Sequence, residues 1–131
     1  MKVAVTSIGN SLESEISPVF GRCPYFIIVD IENGEIKGDL TTENPARNVP
    51  GAGNKAAEFI VKNKVETLIS EAIGSNAFNI LRKAGIKVYK LQSGSVKYNL
   101  KLFTEGKLGE ITSSSNGGPE ARTPRRRGGK G

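Results

Sequence analysis

Apolar residues fall in short runs that are separated by turns rich in glycine, proline and asparagine. Residues 2–8 alternate between larger and smaller side chains, which predicts a first strand. Residues 25–31 are almost continuously apolar, as in a strand buried on both faces. Asn33-Gly34 is a strong hairpin signal and leads to a more polar run over 36–42. The pattern predicts that this third strand is antiparallel to the second and lies at an edge of the sheet.

The second half of the chain alternates helical and strand patterns. Apolar residues recur at helical spacing after three turns, and Asn54 is the expected cap of the first helix. Strands are predicted over 65–70 and 86–91, and 108–112 is a short extended piece. Strands that alternate with helices imply parallel pairing. We therefore expect an α/β fold of three α/β/α layers, with a mixed five-stranded sheet that contains one antiparallel strand.

Charge and composition change near residue 113. The 131 residues carry a net charge of +6, but residues 117–131 alone contribute +4. This segment is poor in apolar residues, so we expect a domain over 1–112 and a disordered Gly/Arg-rich basic tail over 113–131. One cysteine, no signal peptide and no membrane-span-length apolar run predict a cytoplasmic protein.

The loop Ser17–Pro24 is the most unusual stretch of the chain. It holds two prolines, a glycine, Arg22 and the single cysteine, Cys23. It is either a packed connector or the rim of a ligand site. Cys23 is either a small buried hydrophobe or one thiolate ligand of a metal cluster. Arg22 is either a surface charge or a contact for an anion.

The polar turns indicate where a ligand would bind. Gly74-Ser75-Asn76 and Ser93-Gly94-Ser95 follow parallel strands, so they share the carboxyl edge of the sheet with the end of the first strand. Helix N-termini there would attract an anion, although such turns also cap helices for structural reasons alone.

Catalysis has little support in the residues. The chain has no histidine, which excludes Ser-His-Asp and Cys-His nucleophile systems. Asp30 and Glu71 are two acids that might approach each other, but a metal-dependent nuclease needs several acids around two ions. A different alternative is weak, non-specific binding of nucleic acid by the basic tail; its residues are Arg122, Arg125, Arg126, Arg127 and Lys130.

Several stretches, taken together, resemble the dinitrogenase iron–molybdenum cofactor biosynthesis family, which includes NifX-like proteins and the C-terminal part of NifB. They are residues 17–30, Asn44-Pro45, Gly51–Gly53 with Ala56-Ala57, 73–78, 84–89 and the Gly94 turn. The resemblance covers residues 1 to about 110. It implies a ribonuclease H-like fold without nuclease activity, and the binding or carriage of iron–sulfur or iron–molybdenum cofactor precursors.

Residues and resemblance together predict a non-enzymatic carrier protein. Its ligand would be a metal cluster or another anionic small molecule, passed on to a cofactor-accepting protein, and the protein would not bind membranes. The expected binding residues are Ser7, Gly9, Arg22, Cys23, Gly53, Ser75 and Asn76, with Cys23 as the metal ligand.

Overall fold

The computed structural model describes residues 1–113. The predicted disordered tail lies outside the described residues apart from Ser113, and so do the arginines and the lysine of the nucleic-acid hypothesis. The elements in chain order are β1 Lys2–Ser7, β2 Tyr25–Glu32, β3 Glu35–Glu43, α1 Ala52–Lys62, β4 Thr67–Ser70, α2 Ser75–Lys83, β5 Lys87–Lys90, α3 Val96–Thr104 and β6 Glu110–Ile111. Among the described residues, no helix has the length and apolarity needed to cross a membrane.

The strands form one mixed sheet in the order β3-β2-β1-β4-β5-β6. Strand β1 is parallel to β4, and β4 is parallel to β5. The predicted hairpin is confirmed, because β2 is antiparallel to both β1 and β3.

The predicted count of five strands, one of them antiparallel, is wrong. Residues Glu110–Ile111 pair antiparallel with β5 as a sixth strand, so a second strand runs against the parallel set. The chain turns back after α3, and the Lys90 N–H donates to the Gly109 carbonyl at 2.8 Å. The sequence predicts only a short extended piece over 108–112, because a two-residue strand is too short to show an alternating pattern that would identify it as part of the sheet.

Two apolar cores lie on opposite faces of the sheet. Ala4, Phe26 and Leu68 pack with α1 and α2, whereas Val3, Ile27 and Ile69 pack with α3. Neighbouring strand residues point to opposite faces, so this division gives three layers, with two helices on one side and one on the other. Ser7 and Ser70, the last residues of β1 and β4, lie at the same edge of the sheet.

Candidate functional site

The carboxyl edge of the sheet contains a cleft between the N-termini of α1 and α2. It has a volume of about 290 Å³ and is lined by Gly51, Gly53, Asn54, Gly74, Ser75, Asn76 and Ala77. None of these side chains is charged, and neither helix has an acidic residue in its first turn. Three of the predicted binding residues, Gly53, Ser75 and Asn76, are therefore brought together.

The first turns of α1 and α2 have no side-chain cap. Gly51, in the left-handed conformation with φ of 71°, is the N-cap of α1, so the expected cap by Asn54 is wrong. Gly74 is the N-cap of α2. Neither cap residue forms a side-chain hydrogen bond, because glycine has no side chain. Two helix N-termini with their partial positive charges thus border one neutral cleft.

The N-terminus of α3 differs because the protein itself fills it. The Val96 N–H donates to the Ser14 carbonyl at 2.8 Å, and the Lys97 N–H donates to the Leu12 carbonyl at 2.9 Å. The Ser95 hydroxyl accepts from the Tyr98 N–H at 3.0 Å. The turn Ser93-Gly94-Ser95 is therefore a structural cap that also holds the loop after β1, and it is not an anion site.

The loop Ser17–Pro24 packs against the first turn of α1. A Cβ placed on Gly21 would lie 2.8 Å from both the Cα and the N of Gly53, which no side chain could tolerate without moving the backbone. A Cβ on Gly53, in contrast, would lie 3.7 Å from the Ala77 Cβ, an ordinary contact that points into the cleft. Gly21 thus fixes the loop to the helix, and Gly53 keeps the cleft open.

The Asn44 side chain binds the same loop through hydrogen bonds to its backbone. This buried side chain donates from Nδ2 to the carbonyls of Gly21 at 2.9 Å and Cys23 at 3.0 Å, and its Oδ1 accepts from the Ala46 N–H at 2.9 Å. The sequence motif Asn44-Pro45 marks this position, but nothing in the pattern reveals that the amide binds the cysteine loop. The sequence alone does not identify Asn44 as a residue of the site.

Cys23 is fully buried in the core shared with α1 and α2. Burial raises the pKa of its thiol from 9.0 to about 12, and the contact with Asn44 Nδ2 at 3.8 Å opposes this rise only in part. In this conformation Cys23 is therefore a neutral, buried thiol that does not line the cleft, and its role as a metal ligand stays a prediction.

The remaining predicted residues lie beside the cleft or beneath it. Ser7 is buried and donates to the Gly9 carbonyl at 2.7 Å, while the Gly9 N–H donates back to the Ser7 hydroxyl at 3.2 Å. Arg22 is exposed, and its Nη1 donates to the Arg47 carbonyl at 2.9 Å. These residues order the loops around the edge, and none of them lines the cleft.

The two acids considered for catalysis do not meet. Asp30 lies opposite Lys2 in the β1–β2 register, at the start of β1, whereas Glu71 follows the end of β4. The two acids therefore lie at opposite ends of the strands. Glu71 instead contacts Lys90 at 3.8 Å. Within residues 1–113, no group of three or more cysteines and acids is placed to hold a metal ion.

Comparison with known proteins places this geometry in a family. The family model described as dinitrogenase iron–molybdenum cofactor matches residues 1–106. The chain belongs to this iron–molybdenum cofactor family. An uncharacterised protein of Methanocaldococcus jannaschii, MJ0580, is 44% identical over 109 residues, which cover 82% of this chain and 89% of the relative.

Two solved structures of similar proteins cover nearly the same segment. The apo form of the orange protein from Desulfovibrio gigas has a TM-score of 0.79 at 29% identity, over 86% of this chain and 93% of that one. A Thermotoga protein presented as a NifB candidate of the DUF35 family has a TM-score of 0.75 at 38% identity, over 89% and 98%. These similarities show that the chain shares its fold with both proteins.

Proposed function

We propose that this member of the iron–molybdenum cofactor family is a non-enzymatic carrier for an anionic metal cluster or cofactor precursor. The observation that carries the proposal is the neutral, glycine-lined cleft between two helix N-termini whose N-cap glycines form no side-chain hydrogen bond. Backbone N–H groups and helix dipoles favour anions without any charged side chain. The orange protein, solved in its apo form, offers a structural precedent for a fold of this kind without its ligand.

The donor set decides how the cargo would be held. An iron–sulfur cluster bound by four thiolates does not fit, because the chain has one cysteine and its thiol is buried with a raised pKa. An anionic cluster that arrives with its own sulfide ligands does fit, since it needs hydrogen-bond donors rather than protein ligands. We therefore assign the binding role to Gly53, Ser75 and Asn76, with Cys23 ligation as the alternative that must be tested.

The positions of the two candidate acids within residues 1–113 favour a carrier over a hydrolase. The sequence has no histidine, and the acids Asp30 and Glu71 lie at opposite ends of the strands. A hydrolase of the nuclease type would need acids clustered around metal ions. The cargo would leave as it entered, with no bond made to the protein.

Anaerobic loading experiments test the proposal. The protein is incubated either with iron and sulfide or with tetrathiomolybdate, a preformed molybdenum–sulfide anion, and uptake is read by visible absorption and metal content. We expect retention of the preformed anion and its strong reduction in Gly53→Asp, with Gly38→Asp as the control on an exposed strand. Equal uptake by both variants would place the cargo elsewhere.

A Cys23→Ser variant separates the two binding modes. Unchanged uptake of the anion would support the backbone site, whereas complete loss with a normal melting temperature would make Cys23 a ligand. No uptake by the unmodified protein from either source would refute the carrier function for these cargoes.

The remaining expectations extend the proposal. We infer a ribonuclease H-like class, supported by a central β1 with an antiparallel hairpin on one side and parallel strands on the other. We also retain a cytoplasmic location, a domain over 1–112, and delivery to a cofactor-accepting protein. Binding of nucleic acid by the basic tail stays an untested alternative.

A further inference from the structure

The face of the sheet that carries α3 has an open apolar groove. The groove has a volume of about 550 Å³ and runs between α3 and the β2–β3 hairpin. Ile36 and Tyr98 contribute its exposed apolar surface, and the buried Leu100 lies at its base. Ile36 is 38% exposed and Tyr98 is 48% exposed, although both are large and apolar in character. Exposed apolar patches on a protein surface often mark sites that bind a partner.

The groove corresponds to the position of a helix. On the other face, α1 and α2 pack together over the sheet, whereas α3 stands alone and contacts β1. Neighbouring helices pack 8–10 Å apart, so a second helix on this face would lie beside α3 over the hairpin. Residues of α3 line the groove along the length of the helix, from the N-cap Ser95 to the last residue, Thr104. An added helix would complete this layer as α1 and α2 complete the other.

The charges on the rim select the chemistry of that helix. Lys97 and Lys101 lie one turn apart on α3, line the groove and are exposed. Within residues 1–113 neither forms an ion pair, whereas Glu35 on the opposite rim is already paired with Lys37 at 3.0 Å. The unbalanced charge of the groove is therefore positive, and its complement is acidic.

None of the three helices within residues 1–113 is acidic. Residues 117–131 carry a net charge of +4 and are poor in apolar residues, so they would be repelled by the rim and could not fill the groove. The helices of a second copy are also basic, because α1, α2 and α3 together contain six lysines and arginines and one acid, Glu58. A self-association through helices would place like charges together.

We propose that this groove docks an amphipathic acidic helix of another protein, with apolar side chains against Ile36 and Tyr98 and carboxylates beside Lys97 and Lys101. The groove and the cleft lie on opposite faces of the sheet, so a docked partner leaves the cleft between α1 and α2 accessible. The proposal goes beyond the carrier function and holds whether or not that function is correct.

A designed peptide provides the probe. It has about 14 residues, enough to lie along all of α3, with leucines at i, i+3, i+4 and i+7 and glutamates on both flanks. The control peptide has lysine at every glutamate position. Binding to the full ¹⁵N-labelled chain is followed by amide chemical shifts. We expect the acidic peptide to shift the amides of Ile36, Tyr98 and Leu100, and the basic peptide to bind at least about tenfold more weakly.

Charge reversal makes the test specific. Lys97→Glu with Lys101→Glu should weaken the acidic peptide about tenfold and strengthen the basic one, because the sign of the rim is inverted. Lys62→Glu with Lys83→Glu, on helices of the opposite face, is the matched control and should change neither affinity. This reciprocal exchange cannot arise from loss of folding.

Three results would overturn the proposal. The first is an absence of shifts in the groove at millimolar acidic peptide. The second is equal affinity for both peptides, which would indicate a non-selective apolar surface. The third is sedimentation that shows a dimer abolished by Tyr98→Ser, since a second copy would then occupy the groove.

Discussion

Replacing Asn76 by aspartate should separate the stability of the fold from the binding of the cargo. Asn76 is exposed in the first turn of α2 and lines the cleft, and no acidic residue is present in that turn. A carboxylate there interacts favourably with the helix dipole. The same carboxylate faces the position proposed for an anion. The substitution therefore stabilises the empty protein and weakens its complex.

The two magnitudes follow from elementary electrostatics. A carboxylate in the first turn of a helix contributes about 0.3–1 kcal/mol, which raises Tm by about 1–5 °C for a domain of this size. Repulsion between two unit charges at roughly 6 Å is about 0.7 kcal/mol in a water-like dielectric and about 3 kcal/mol at an effective dielectric constant of about 20. A dianion doubles these values, so its affinity should fall at least about tenfold.

The assay compares Asn76→Asp with Asn79→Asp, which adds the same charge to the same helix at an exposed position outside the cleft lining. Thermal unfolding gives the stability, and titration with tetrathiomolybdate at low salt gives the affinity. The difference between the variants should shrink as salt rises, because exposed charges are screened. Equal affinities in both variants, with the expected rise in Tm for Asn76→Asp, would refute an anion site at this cleft.

Three further changes test the loop that borders the cleft. Gly21→Ala should cost about 1–3 kcal/mol in the free energy of unfolding, because its Cβ would meet the Gly53 backbone at 2.8 Å, whereas Gly38→Ala should be nearly neutral by chemical denaturation. Asn44→Ala should cost about 2–4 kcal/mol, since the buried Ala46 N–H and two carbonyls lose their partner; exposed Asn48→Ala is the control, and equal midpoints would contradict the hydrogen-bond argument. Because the pKa of Cys23 is raised, the folded state keeps the thiol proton above pH 9.0, whereas the unfolded state loses it. The free energy of unfolding should therefore decline between pH 9.0 and about 12, and this part of the decline should be absent in Cys23→Ala.

Much of the fold follows from the sequence, because its signals are local. The Asn33-Gly34 turn predicts the β2–β3 hairpin, and strand–helix alternation predicts the parallel strands β1, β4 and β5. The two-residue strand β6 has no pattern of its own and exists through its pairing with β5. Cap propensity favours Asn54 over glycine, so the sequence predicts the N-cap of α1 at Asn54. The helix in fact begins earlier, directly after Gly51 in the left-handed conformation.

The site was only half predictable for a different reason. Helix N-termini at the carboxyl edge follow from topology, so Gly53, Ser75 and Asn76 could be found. Residue type does not determine exposure, however, and the loop with the cysteine folds inward under the control of the Asn44 amide. A long-range contact between residues 21 positions apart leaves no periodic trace in a single sequence.

A cleft built from backbone donors has a consequence for delivery. Coordination by thiolates would tie release of a cluster to the breaking of metal–sulfur bonds, whereas an anion held by hydrogen bonds and helix dipoles leaves without the breaking of any metal–ligand bond. Raised ionic strength should therefore empty a loaded protein within the time of mixing, as read by visible absorption after gel filtration at low and high salt. Retention at 1 M salt that disappears in Cys23→Ser would instead mean that the loop opens and that Cys23 binds the metal, against the buried, neutral thiol that the fold contains.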